Sequence, residues 1–383
     1  MAIPILPYRN PVLLQDVEKV GALLKEKGYT NVLVVTDKVI RGIECFEKLE
    51  KSLGDNNIQY TVYDKTVPNP TVENVEEARE VYIKKACSAI VAMGGGSAID
   101  CGKAVGARIA KENQSVMKMA GILKIHKRTP CFTAIPTTAG TGSEVTVTTV
   151  ITDGKTRDKS PISDFCLIPN VAVLDSDATK TLPKAVAATT GMDALTHAVE
   201  AYIGNSTTKT TRRDAIDAVK IIFENLYKVY TTNTDEEARS RMLYASFLAG
   251  RAFSKSYVGY CHAVAHSLGG EYNIPHGLAN AVLLPYVIKK YGKSAHKKLW
   301  KLSVETGLCS PDTSFKDGAR IFIAKIEQMN EMMNIPKKLK GIEKGDIEKL
   351  AKHADKEANP LYPVPLLMNA KELEVFYYDV MEG

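Results

Sequence analysis

The sequence predicts a parallel α/β domain followed by an all-helical one, and three observations carry that prediction. Short β-branched runs alternate with helical stretches through the first half. Glycine- and hydroxyl-rich loops follow two of those runs directly. Beyond TLPKA (residues 181 to 185) strand-like runs nearly vanish, and long amphipathic segments continue to the end. At roughly 150 residues per domain, 383 residues suggest two domains, and the change of pattern puts their boundary near residue 180, giving 1–180 and 181–383.

The elements follow in order. Residues 12 to 27 place Leu13, Val17, Val20 and Leu24 on one helical face, and Gly28 stops that helix. NVLVVTD then reads as a buried strand ending in an acid, Asp37. IQYTVYD (58 to 64), SAIVAM (88 to 93), CFTAIP (131 to 136), TTVIT (148 to 152) and VAVLDS (171 to 176) repeat the pattern, as in a parallel sheet covered by helices. Pro183 suits the first turn of the helix that opens the second domain.

Composition narrows the function classes. With 45% hydrophobic and 25% charged residues the chain is neither disordered nor collagenous. No run approaches 18 apolar residues, and in MAIPILPYRNP two prolines, Pro4 and Pro7, fall where a signal peptide needs its apolar core, so a cytoplasmic protein with no membrane partner is expected. The net charge of +6 arises from interleaved acids and bases, as in GIEKGDIEKLAKHADKE, which does not point to nucleic acid. Seven cysteines without a CxxC pair indicate neither a disulfide framework nor a thiolate zinc site.

Two loops have the chemistry of a phosphate cradle. Gly94, Gly95, Gly96 and Ser97 follow the strand ending at Met93 and precede a helix expected from about Ala98. Glycines admit a pyrophosphate close to backbone amides, and a helix N-terminus favours its charge. A tight strand-to-helix turn is the competing reading, since GGGS is not GxGxxG. PTTAGTGSE (136 to 144) again follows a strand and gathers Thr137, Thr138, Thr141 and Ser143 around Gly140 and Gly142. Asp37 suits the hydroxyls of an adenosine ribose and repels a 2′-phosphate, whereas Lys38 and Arg41 just behind it would welcome one.

The histidines give the sharpest signal. Of only seven, His197, His262, His266 and His276 fall within 80 residues, in apolar and glycine-containing surroundings. GMDALTHAVEAY sets Asp193 and His197 four apart, on one face of a helix. CHAVAHSLGGEYNIPHG gives His262 and His266 one turn apart, then His276 after a break at Gly269 and Gly270. One acid with three imidazoles would bind a divalent metal and keep a position open for substrate. Without thiolates, that set suits Fe(II), Zn(II) or Co(II). A helical Asp-to-His hydrogen bond is the alternative reading of the first pair.

GGGSAIDCGKA, PTTAGTGSEVT, GMDALTHAVEAY and HAVAHSLGGEYNIPHG together resemble the iron-dependent (group III) alcohol dehydrogenase family, over residues 30 to 290. The resemblance implies an N-terminal Rossmann-like dinucleotide-binding domain and a C-terminal helical metal-binding domain, with metal and nicotinamide in the cleft between them. It implies Asp193, His197, His262 and His276 as metal ligands and leaves His266 unligated, the candidate catalytic proton relay. Cofactor contacts carry over to Asp37, to Gly95, Gly96 and Ser97 with Asp100, to Thr137, Thr138 and Thr141, and to Lys159. The family's PNP turn falls on Pro68, Asn69 and Pro70. The implied activity is hydride transfer between a small alcohol or aldehyde and NAD, with NADP as the alternative, on Fe(II) or else Zn(II), in a homodimer or larger homo-oligomer. Glycerol dehydrogenases and dehydroquinate synthases share the architecture and supply the competing polyol dehydrogenase and lyase readings. A dinucleotide-sensing protein is the non-enzymatic one, and an intact set of four ligands speaks against it.

Overall fold

The computed structural model describes residues 8–154 and 159–382; MAIPILP, part of the stretch read for a leader, lies outside them. The chain divides into two compact units, one ending at Leu182 and the other starting at Pro183. Among the described residues no helix is long and apolar enough to cross a membrane.

In the first unit, β1 (Val12–Leu14), α1 (Val20–Glu26), β2 (Asn31–Val35), α2 (Glu44–Asp55), β3 (Gln59–Tyr63), α3 (Val72–Lys84), β4 (Ala89–Gly94) and α4 (Gly96–Ala110) alternate as expected. After them come β5 (Gly121–Ile122), β6 (Cys131–Pro136), β7 (Thr148–Thr152), β8 (Lys159–Ser163) and β9 (Val171–Val173). The main sheet has the order β1-β9-β6-β4-β2-β3, with every pairing parallel. Strand alternation divides the core. Val32, Val34, Val91 and Met93 pack with Val20, Leu24, Phe46 and Leu49 of α1 and α2 on one face. Leu33, Val35, Ile90 and Ala92 pack with Val75, Ala78, Ile99 and Ala104 of α3 and α4 on the other. From β2 the chain moves outward to β3, then returns to β4 on the other side of β2. The ends of β2 and β4 therefore flank a topological switch point, where open α/β sheets bind ligands.

Three expectations are corrected here. The helix expected over residues 12 to 27 is a strand at its start: Val12–Leu14 pairs in parallel with Val171–Val173, leaving Leu13 43% exposed, and Asp16 caps a new turn through the amide of Glu18. Sheet pairing with a segment about 160 residues away outweighs a local helical pattern. TTVIT does not join the main sheet. As β7 it pairs antiparallel with β8, and β5 completes that smaller sheet. The helix after the first glycine loop starts at Gly96 rather than near Ala98, with Gly95 as its cap.

The second unit is helical: α5 (Lys184–Ile203), α6 (Lys209–Thr231), α7 (Glu236–Ser256), α8 (Tyr260–Tyr272), α9 (His276–Lys290), α10 (Lys293–Glu305), α11 (Phe315–Met332), α12 (Ile347–Ala358) and α13 (Ala370–Val380). Pro183 is the extended cap of α5 rather than a residue of its first turn. Helix α8 runs through Gly269 and Gly270 and ends at left-handed Asn273, so the break before His276 lies at residues 273 to 275. All seven cysteines are free.

Candidate active site

Helix α5 is buried along most of its length and carries Asp193, His197 and Glu200. Helix α8 brings His262, and His276 is the first residue of α9. Asp193, His197, His262 and His276 each offer one ligand atom, and these atoms all lie within 4.8 Å of one another. Bonds of about 2.0–2.2 Å to a divalent metal put ligand atoms roughly 3–4.5 Å apart, so a small contraction suffices. Nε2 of His262 is buried and takes no hydrogen bond among the described residues; Asp193 Oδ1 stands 3.9 Å away. Burial, together with the neighbouring imidazoles, pushes His262 well below the ordinary histidine range and keeps a lone pair available. A buried acceptor without a donor beside a carboxylate is the arrangement a cation satisfies.

The surroundings orient these groups. Glu200 Oε2 accepts from His262 Nδ1 at 2.6 Å and from the Gly259 amide at 2.8 Å, while Oε1 accepts from the Cys261 amide at 2.8 Å. A proton on Nδ1 leaves Nε2 as the ligand atom. Gly259 permits this approach, since a Cβ there would lie 2.6 Å from Glu200 Oε1. Asn280 donates to Asp193 Oδ1 at 2.7 Å and lies 3.1 Å from His276 Nε2. His197 stacks between Phe253 and His262, with centroids 4.3 and 4.5 Å away. His266 stays outside the four. It stacks on His276 at 5.1 Å, and its Nδ1 lies 2.7 Å from Glu357 Oε1.

Sequence reasoning missed Glu200, Asn280 and Glu357. The first two had a signal: Glu200 follows Asp193 by seven residues and Asn280 follows His276 by four, helical repeats of the candidate ligand on the same helix. Glu357 is 91 residues from His266 and had none.

In the first unit, the loops expected to hold a cofactor converge at the ends of β2, β4 and β6. The first turn of α4 has neither a side-chain cap nor an acidic residue, so its amides and dipole suit an anion. A Cβ on Gly96 would meet the Thr141 methyl at 2.8 Å, so the second loop packs directly on the first. Thr138 lies against Gly95, and the Thr137 amide donates to the Gly94 carbonyl at 3.0 Å. Asn69, left-handed in the exposed PNP turn, donates its amide to Ser97 Oγ at 3.3 Å, with Pro68 exposed beside it. Asp37 uses Oδ1 to accept from the amides of Val39 and Ile40, and its Oδ2 lies 3.8 Å from the Cβ position of Gly94. Arg41 is paired with Asp64.

Asp100 and Lys159 sit differently from the others. Both Asp100 oxygens serve the second loop and the small sheet: Oδ1 accepts from Ser143 Oγ at 3.0 Å and Oδ2 from the Val150 amide at 2.9 Å. Burial pushes this carboxyl up to about 6. One turn on, buried Lys103 donates to Thr146 O and Oγ1 and to Thr148 O, so α4 grips the exit of the same loop, and burial lowers its ammonium to about 8. Lys159 begins β8 opposite Thr152, half-buried, and burial lowers its ammonium too.

The family model described as iron-containing alcohol dehydrogenase matches residues 14–176, and that of the Fe-containing alcohol dehydrogenase family, C-terminal, matches residues 187–380. The chain belongs to the iron-containing alcohol dehydrogenase family. The 1,3-propanediol dehydrogenase of Citrobacter freundii is 38% identical over 362 residues, covering 93% of each chain. Alcohol dehydrogenase 4 of Saccharomyces cerevisiae is 37% identical over 345 residues, 89% of this chain and 88% of that one. A crystal structure of a 1,3-propanediol oxidoreductase superposes with a TM-score of 0.94 at 34% identity, covering 99% of this chain and all of the other. As a member of this family the protein is a metal-dependent alcohol dehydrogenase and aldehyde reductase using a nicotinamide cofactor.

Proposed function

We propose that this alcohol dehydrogenase interconverts a small alcohol or diol and its aldehyde with NAD as the preferred cofactor. In this reading Asp193, His197, His262 and His276 hold Fe(II), and His266 relays the proton. The carrying observation is the set of four ligand atoms within 4.8 Å of one another, His262 among them with an Nε2 that finds no hydrogen-bond partner among the described residues. A divalent metal held by these four residues would supply Lewis acidity toward the substrate oxygen, and a bound nicotinamide would supply the hydride acceptor or donor.

The chain's own groups do the rest. Glu200 and Asn280 hold His262 and Asp193 in place, and His266, stacked on His276, stands beside the centre to take or return a proton. The two glycine loops supply the pyrophosphate cradle. Asp37 beside Gly94 supports NAD, because its free oxygen would repel a 2′-phosphate and Arg41 is engaged by Asp64. The relatives named for 1,3-propanediol and for alcohol put small alcohols and diols first in a substrate screen.

The test uses metal-stripped protein reconstituted anaerobically with Fe(II) or Zn(II), followed by NADH absorbance. Fe(II) is expected to restore the higher activity, which air then removes, since zinc has no redox chemistry to lose. His262→Ala loses metal and activity together, whereas His266→Ala keeps metal and loses rate. Full metal occupancy in His262→Ala refutes the ligand set, and higher, air-stable activity with zinc refutes the iron.

A further inference from the structure

Resting on the reading of His266 as the relay, the geometry points to Glu357 as a positioning residue that fixes the His266 tautomer, holding the proton on Nδ1 and leaving the lone pair on Nε2. Glu357 lies in the last turn of α12, and His266 lies on α8. Glu357 Oε1 is 2.7 Å from His266 Nδ1 and also accepts from the Tyr362 hydroxyl at 2.7 Å. A carboxylate has no proton to donate, so the imidazole must be the donor in this bond. Burial alone would raise the Glu357 carboxyl, but the His266 imidazole and the Tyr362 hydroxyl outweigh it and hold the group below its ordinary value. Burial keeps the Tyr362 hydroxyl protonated, so it remains a second donor that fixes the carboxylate.

This hold serves catalysis in both directions. In alcohol oxidation the substrate O–H bond breaks and its proton forms a bond to Nε2, while the C–H electron pair leaves with the hydride taken by the nicotinamide. Nδ1 keeps its proton throughout, and Glu357 offsets the positive charge on the ring. In aldehyde reduction the Nε2 proton returns to the substrate oxygen. In the opposite tautomer Nε2 would already carry a hydrogen and could accept nothing. A purely structural pair would staple α12 to α8 without bearing on turnover through His266.

The experiment combines two readouts on zinc-loaded enzyme labelled with 15N-histidine. The first is the protonation pattern of His266 by NMR, its signals assigned by their loss in His266→Ala. The second is steady-state kinetics of Glu357→Ala, Glu357→Gln and the Glu357→Ala, His266→Ala double variant, with metal content measured for each. Wild type is expected to carry the Nδ1 proton, and Glu357→Ala to shift toward Nε2. In that variant kcat falls on the order of 100-fold, with little change in alcohol KM and unchanged metal content. Glu357→Gln keeps the packing and an oxygen acceptor, and recovers part of the rate. In the His266→Ala background the Glu357 effect disappears. An unshifted tautomer in Glu357→Ala, or an undiminished effect in the double variant, overturns the inference. Full activity of His266→Ala instead overturns the relay reading, while the NMR result still decides whether Glu357 sets the tautomer.

Discussion

Replacing Glu200 by Gln separates orientation of a metal ligand from simple packing. Three N–H donors converge on its carboxylate, two on Oε2 from His262 Nδ1 and Gly259 and one on Oε1 from Cys261. An amide has one acceptor oxygen. That oxygen settles where it serves two donors, at the Oε2 position, which turns the NH₂ toward the Cys261 amide. A buried donor facing another donor costs about 1–3 kcal/mol, and loss of a group that orients a ligating histidine weakens metal affinity by about 10- to 100-fold. At about 1.4 kcal/mol per decade the two ranges agree. Because the amide still serves His262, Glu200→Gln belongs near the tenfold end. Glu200→Ala, which leaves Nδ1 without an acceptor, belongs near the hundredfold end. The assay is competitive titration of metal-stripped protein with Zn(II) against a chromophoric chelator, with circular dichroism to confirm the fold. Gly259→Ala should move in the same direction, because its Cβ would press on Oε1 at 2.6 Å. Affinities within twofold of wild type for both Glu200 variants would refute the reasoning.

Two further predictions concern the first unit. Glu144 is 1% exposed, neither of its oxygens has a hydrogen-bond partner outside its own backbone among the described residues, and burial pushes its carboxyl from 4.5 up to about 7. An acid whose folded value is raised favours the folded state at low pH, and that contribution disappears as pH rises from the unfolded to the folded value, here between 4.5 and about 7. The gap corresponds to about 3 kcal/mol. Glu144→Gln should therefore stabilise the unit against urea at pH 8 more than at pH 5 by an amount of that order, and an equal effect at both pH values counts against the assignment. Asp37→Gly should raise the NADP-to-NAD ratio of kcat/KM by roughly fivefold, the removed charge being worth about 1 kcal/mol near a surface phosphate; an unmoved ratio means that Asp37 does not face the ribose.

Much of the site was legible in the sequence because its chemistry sits on local repeats. Asp193 and His197 lie one helical turn apart, as do His262 and His266, and the two glycine loops follow apolar strands that the alternation identified. Helical spacing, however, puts His262 and His266 on the same face without choosing between them. The fold groups His262 with Asp193 and ties His266 to Glu357, because Glu200 of α5 binds the N-terminal end of α8 at Cys261 and His262, while α12 packs on α8 and brings Glu357 to His266. Asp100 shows the same limit: the sequence places it one turn into α4, and only the folded chain turns its oxygens to Ser143 and Val150. Val12–Leu14 reads as helix in isolation and pairs as strand with β9. Sequence patterns report faces and caps, since these depend on neighbours within a few residues. Which faces meet, and which partner a carboxylate or imidazole receives, is set by packing between segments 40 to 160 residues apart, whose burial outweighs any local preference.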